Sequence, residues 1–117
     1  MRISEIVIAS FDLKGMKLFY EKLFNIAFTK HIIPQGFVYE AQFENLKLTL
    51  CPAKVAGTSA TENRQQLTFH VLDLNKAIEI VEQFGGQKLG ELKKSDKFIE
   101  LAIRDIDNNS LILRQEI

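Results

Sequence analysis

A strand–helix–strand–strand–strand pattern that occurs twice is the feature that most constrains the fold of this chain. In the first copy, Asp12 is a favourable N-cap, and apolar residues follow it at the three- and four-residue spacing of a helix that ends near Asn25. In the second copy, Asp73 or Asn75 caps the helix, Asp73-Leu74 matches Asp12-Leu13 at a distance of 61 residues, and Gly85-Gly86 ends the helix. The predicted strands are 3–9, 27–33, 37–43 and 46–51 in the first copy, and 66–72, 88–92, 98–103 and 110–115 in the second.

The length of the chain, 117 residues, predicts a single domain over 1–117 with a sizeable core. We divide it into modules 1–51 and 65–117. The linker 52–64, "PAKVAGTSATENR", is small and polar without a sustained period, so it is interpreted as a connecting or mobile loop. Its length is typical of a functional loop or of a junction between two units.

Composition excludes several classes of partner. Fifteen basic and fifteen acidic residues give a net charge of zero, which argues against nucleic acid or an anionic membrane as the main partner. Cys51 is the sole cysteine, so an internal disulfide is impossible. The first residues, "MRISEIVIASFD", do not match a secretory signal, and a cytoplasmic location is expected.

Three stretches resemble the vicinal oxygen chelate superfamily, which contains glyoxalases, bleomycin-resistance proteins and extradiol dioxygenases. They are "DLKGMKLFYEKLFN", "LTFHVLDLNKAIEIVEQFGG" and the closing turn and strand "DIDNNSLILRQ". The resemblance implies an α+β fold in which two βαβββ modules form a curled, cup-shaped mixed sheet with the helices on its outer face. Because exposed strand edges invite pairing, the resemblance also favours a homodimer.

The metal site of that superfamily takes one inward residue from the first and fourth strand of each module, typically His or Glu. The resemblance places Glu5, Lys47, Gln66 and Ile112 at these positions. Glu5 is a customary ligand and Gln66 an occasional one, whereas Lys47 brings an ammonium and Ile112 has no donor atom. A divalent ion needs several N or O ligands, so we expect a degenerate metal site and no cofactor.

Strand alternation predicts which side chains face the cup. If Leu46, Leu48 and Leu50 pack on the helices, Lys47 faces the cup, and a two-residue hairpin sets Gln42 opposite Lys47 and Glu40 opposite Thr49. The predicted ligand-binding residues are Glu5, Glu40, Gln42, Lys47, Thr49, Gln66, Thr68, His70, Ile112 and Arg114. A concave surface with convergent polar groups is typical of a small-molecule site. The competing interpretation is internal ion pairing, such as Glu5 with Lys47 or with Arg114.

Three functions fit these residues. The first is a metal-independent protein of the bleomycin-resistance type that binds a small polar or aromatic ligand in the cup, with no catalytic residue assigned. The alternative is a metal-dependent lyase, isomerase or dioxygenase whose ligands have moved, for example to Glu5, Glu40, Gln66 and His70. In the third, a protein partner or second subunit buries the sheet face.

Overall fold

Two four-stranded mixed sheets and three helices make up the computed structural model, which describes residues 2–63 and 65–117. The first module contains β1 (Glu5–Ser10), α1 (Leu13–Phe24), β2 (Thr29–Ile33), β3 (Gly36–Phe43) and β4 (Leu46–Pro52). The short helix α2 (Ala53–Ala56) follows. The second module contains β5 (Leu67–His70), α3 (Leu74–Gln83), β6 (Gln87–Lys94), β7 (Phe98–Arg104) and β8 (Ser110–Glu116). The α+β architecture and the repeated element order are therefore confirmed.

The two sheets share one topology. Their strand orders are β1-β4-β3-β2 and β5-β8-β7-β6, and the first and last strands of each module pair in parallel. The predicted hairpin register is confirmed, because Gln42 lies opposite Lys47 and Glu40 lies opposite Thr49. Glu5 lies beside Lys47 across the parallel pair. The local hydrophobic pattern and the two-residue turn together determine this register.

Both long helices begin at an aspartate: α1 at Asp12, as predicted, and α3 at Asp73, one of the two predicted candidates. The carboxylate of Asp12 accepts a hydrogen bond from the Gly15 N–H at 3.0 Å, and that of Asp73 accepts one from the Lys76 N–H at 3.1 Å. Each bond satisfies a backbone donor that has no partner within its helix. The helices bury one face in a core shared by the two modules. The fully or nearly buried helix residues are Met16, Phe19, Tyr20 and Leu23 of α1, and Leu74, Ala77 and Val81 of α3.

The end of α3 requires glycine for two separate reasons. Gly85 has φ +96°, a left-handed conformation that glycine adopts without steric cost. At Gly86, an added Cβ would lie 2.6 Å from the Arg104 carbonyl oxygen and 2.7 Å from the Phe19 ring. Gly86 therefore lets the end of α3 approach both β7 and α1.

The structure differs from the sequence prediction around the linker. Ala53–Ala56 forms one helical turn that ends at Gly57, with φ +79°, although the composition predicts a loop. One turn is too short to show a helical period, and the buried side chain of Ala53 stabilises it by tertiary contact. Strand β5 is shorter than predicted, because Leu72 is fully exposed and Asp73 begins the next helix. Strand β6 is longer, with an irregular register between Leu89 and Lys93.

The Asn-rich turn before β8 joins the two modules. The buried Asp105 carboxylate accepts hydrogen bonds from the Tyr20 hydroxyl at 2.6 Å and from the Asn109 side chain at 2.9 Å. It also accepts hydrogen bonds from the backbone N–H groups of Asp107 and Asn109. The Asp107 carboxylate in turn accepts a 2.8 Å hydrogen bond from the Ser10 hydroxyl. The turn thus fixes the start of β8 against α1 and β1 of the first module.

Within the described ranges, α1 and α3 span 12 and 10 residues, and no helix has the length and hydropathy needed to cross a membrane.

Candidate ligand-binding site

Lys47 is the centre of a charged cluster on the polar face of the first sheet. Its Nζ lies 3.1 Å from Glu40 Oε2 and 3.6 Å from Glu5 Oε2. The Thr49 hydroxyl donates a 2.6 Å hydrogen bond to the same Glu5 oxygen. Neighbouring strands position all four residues, with β1 and β3 on either side of β4. One ammonium and two carboxylates give the cluster a net charge of −1.

The pKa of Lys47 is raised. The hydrogen bond to Glu40 is the largest cause, followed by the negative charge of Glu40 and then by that of Glu5. The side chains of Lys47 and Glu5 remain 39% and 37% exposed, so the pair contributes little to stability. The cluster is accessible to a ligand, and its ammonium stays protonated at neutral pH because both neighbours favour the charged form.

Arg114 organises the corresponding face of the second sheet. Its Nε and Nη2 lie 2.9 and 2.8 Å from Glu100 Oε2, and its guanidinium carbon lies 4.1 Å from the centre of the Phe98 ring. Arg114 and Glu100 are paired residues of β8 and β7. Of the two ion pairs proposed for Glu5, the structure therefore forms the one with Lys47, while Arg114 binds Glu100.

The remaining predicted residues of the second module lie along the same face. Thr68 is opposite Ile112, and His70 is opposite Arg114. The His70 Nδ1 is 3.5 Å from Glu116 Oε1, and both side chains are exposed. Gln66 lies just before β5 and donates a hydrogen bond to the Ser110 hydroxyl.

The structure brings together four of the ten predicted residues in one bonded cluster, namely Glu5, Glu40, Lys47 and Thr49. Gln42 is adjacent in register, but its amide donates to the Glu44 carbonyl. Glu100 and Phe98 are not among the ten predicted residues. Alternation along β7 could have identified both, because positions 98 and 100 share the face of Ala102, which lies opposite Ile112.

An apolar cavity lies elsewhere, between the outer edges of β1 and β5. It has a volume of about 490 Å³, and none of the ten predicted residues lines it. Its walls include Ile6 and Ile8 of β1 and Leu67 and Phe69 of β5, with Tyr20 of α1. Only the placement of one sheet beside the other creates this cavity, so no local sequence pattern predicts it.

Among residues 2–63 and 65–117, no three His, Cys, Asp or Glu side chains are grouped to hold a metal ion. Of the relocated ligand set, Glu5 and Glu40 both contact Lys47, whereas His70 pairs with Glu116 on the other sheet. The Lys47 ammonium therefore already bridges the Glu5 and Glu40 carboxylates.

No protein-family model matches the chain, and no curated protein matches it. Several solved structures, in contrast, do match the chain. A glyoxalase/bleomycin resistance protein/dioxygenase family enzyme from Burkholderia phytofirmans PsJN superposes with a TM-score of 0.79 and 14% identity, covering 100% of both chains. A glyoxalase-related enzyme from Fulvimarina pelagi gives 0.77 and 17%, covering 98% of this chain and 88% of that one.

TnmS3, an antibiotic binding protein from Streptomyces sp. CB03234, gives a TM-score of 0.73 with 14% identity, covering 100% of this chain and 97% of that one. The TM-scores establish that these proteins and this chain share a fold. The chain therefore has the fold of the glyoxalase, bleomycin-resistance and dioxygenase proteins, in agreement with the resemblance seen in the sequence.

Proposed function

We propose that this protein binds a small molecule on the polar faces of its two sheets without a metal ion. The observation that supports this most directly is the Lys47 ammonium, 3.1 Å from Glu40 and 3.6 Å from Glu5. In the related fold, that strand position would supply a metal ligand. Here a side-chain cation neutralises part of the carboxylate charge.

The four inherited positions do not fit a divalent ion. Glu5 supplies a carboxylate that Lys47 and Thr49 already engage, and the Lys47 ammonium has no lone pair for a metal. Ile112 supplies only hydrocarbon, and Gln66 is hydrogen-bonded to Ser110. Three or four N or O ligands are needed to hold such an ion, so we assign no metal-dependent step.

The chemistry of the faces supports a polar or aromatic ligand. Arg114 lies over Phe98 and presents a planar guanidinium beside an aromatic ring, while the cluster around Lys47 presents two carboxylates and an ammonium. The antibiotic-binding description of TnmS3 supports an antibiotic-like molecule as the first class of ligand to test.

A thermal-shift titration with Ni²⁺, Zn²⁺, Mn²⁺ and Fe²⁺ tests the absence of a metal. We expect no stabilisation of the wild-type chain by any of the four. The matched control is the double variant Lys47→His/Ile112→His, which restores two imidazoles at the inherited positions and should gain a metal-dependent rise in Tm. Stoichiometric metal on the purified wild-type protein would contradict the proposal.

A thermal-shift screen of aromatic antibiotics tests the ligand. A compound that raises the Tm of the wild type should have its Kd weakened at least tenfold by Arg114→Ala, because truncation removes a charged, planar contact. Lys14→Ala, an exposed change on α1, should leave the Kd unchanged. Equal binding by both variants would exclude the face around Arg114 as the ligand-binding site.

We also propose a homodimer. Leu72 is 100% exposed, Ile32 on edge strand β2 is 70% exposed, and Leu92 on edge strand β6 is 50% exposed. Burial of such side chains against a second copy is favourable at about 25 cal/mol per Å². Light scattering should give twice 13.4 kDa for the wild type. Leu72→Asp should give a monomer, whereas the exposed hairpin change Asn45→Asp should not.

A cytoplasmic location completes the proposal. Its support is the single cysteine and the zero net charge of the sequence. Fractionation of cells that express the tagged chain tests it, and recovery in the membrane or secreted fraction would contradict it.

A further inference from the structure

The cavity between β1 and β5 is a preformed space on the scale of a small-molecule site. Its volume of about 490 Å³ lies within the roughly 300–1,000 Å³ typical of such sites. Ile6 and Ile8 form one wall, and Leu67 and Phe69 form the opposite wall. Ile6, Ile8 and Phe69 pack against the shared core, so these parts of the apolar walls are held by the fold itself.

Hydrogen-bonding groups border this apolar space. In the described part of the chain, β1 pairs only with β4 and β5 pairs only with β8. The backbone N–H and C=O groups that point from their outer edges toward the cavity consequently have no strand partner. Backbone groups removed from water without a partner are costly, so an occupant would need donors and acceptors on its rim.

The linker supplies a fixed third wall. Thr58, Ala60, Glu62 and Asn63 line the cavity. The Asn63 side chain donates to the Ser110 carbonyl and accepts the Ser110 N–H, both at 2.8 Å. This two-way amide pairing attaches the linker to the start of β8 and fixes the cavity wall in the absence of a ligand.

Two of the polar side chains that line the cavity already have partners. The Glu62 carboxylate lies 3.8 Å from the Arg104 guanidinium, and the Tyr20 hydroxyl donates to Asp105. A charged ligand would have to displace one of these contacts. We propose that the cavity is a second ligand site, separate from the polar sheet faces, for an uncharged and largely apolar small molecule with hydrogen-bonding groups on its rim.

N-phenyl-1-naphthylamine is a suitable probe, because it is uncharged, has one N–H donor and fluoresces more strongly in apolar surroundings. We expect saturable binding of one probe molecule per full-length chain. Ala60→Trp places a large ring at the mouth of the cavity and should weaken the Kd at least tenfold. Ala56→Trp is the matched control, since Ala56 is exposed on α2 and does not line the cavity.

Circular dichroism and Tm should be the same for both variants and the wild type, which separates blocking from unfolding. Thr58→Trp is a second blocking variant that should also weaken binding. The proposal is overturned if the probe does not bind, or if Ala60→Trp and Ala56→Trp bind it equally. It is also overturned if Ala60→Trp converts a dimer into a monomer, because a strand of the partner would then occupy the gap.

Discussion

Tyr20 and Asp105 illustrate how single residues hold the modules together. Both are almost fully buried, and the 2.6 Å hydrogen bond between them joins residues that lie 85 positions apart in sequence. Burial, followed by the charge of Asp105, raises the pKa of Tyr20 well above its usual value. Burial also raises the pKa of Asp105, although four hydrogen bonds oppose this effect. The four hydrogen bonds therefore offset part of the cost of burying the Asp105 carboxylate.

Asp105→Ala should destabilise the protein by about 3 kcal/mol, because it leaves several buried donors without an acceptor. Urea unfolding at pH 7 measures this loss. Asp96→Ala, in an exposed bend, is the control and should change stability by less than about 0.5 kcal/mol. Similar effects for the two variants would show that the turn is not a structural connection.

Alkaline pH should destabilise the protein through Tyr20. Because the folded pKa lies above the unfolded value of 10.0, the folded state retains its proton while the unfolded chain loses it. The stabilisation is complete below pH 10 and is lost as the pH rises through the folded pKa. Urea unfolding between pH 9 and 11.5 should show this decline, and Tyr20→Phe should reduce its slope. Tyr39→Phe is the control, and an equal reduction there would contradict the assignment.

At the scale of elements, local hydrogen bonds determine where α1 and α3 begin, whereas a tertiary contact is required where α3 ends. The aspartate caps of α1 and α3 depend only on neighbouring residues. The end of α3 depends on Gly86, whose missing side chain allows contact with the Arg104 carbonyl and the Phe19 ring. The close approach of α3 to β7 therefore depends on a residue that also serves as an ordinary helix terminator.

Gly86→Ala should cost about 2–3 kcal/mol, since the new methyl group would meet a backbone oxygen at 2.6 Å and overpack the core. Gly90→Ala is the control: its φ of +72° imposes a conformational cost of about 1 kcal/mol, but its Cβ would meet open space. Thermal or urea unfolding distinguishes the two. A smaller loss at Gly86 than at Gly90 would mean that α3 and β7 separate easily.

For the whole molecule, a single core makes the two modules one folding unit. The rings of Phe24 in α1 and Phe69 in β5 lie 4.6 Å apart, and the buried cluster contains residues from both sheets. A module on its own would lose the apolar contacts that it makes with the other module. Unfolding should consequently be one cooperative transition.

Phe69→Ala should lower the free energy of unfolding by about 3 kcal/mol. Because the core is shared, amide exchange should accelerate at Leu50 in the first module as well as at Leu113 in the second. Lys88→Ala, at an exposed position of β6, is the control and should change neither rate appreciably. Acceleration confined to the second module would indicate two independent units.

The sequence predicted the local features well, because each follows from adjacent residues or from one short turn. The two aspartate caps are of this kind, as are the hairpin register of Gln42 with Lys47 and the face on which Ile112 lies. The parallel pairing of β1 with β4, which was not predicted, places Glu5 beside Lys47.

The sequence by itself thus determined the repeated modules and the polar character of their exposed faces, since alternation along a strand is enough to decide them. Tertiary structure alone decided that Arg114 pairs with Glu100 and that Tyr20 meets Asp105. It alone also placed the cavity between β1 and β5. These features depend on the distance and orientation between segments far apart in the chain, which packing of the shared core determines and no local period encodes.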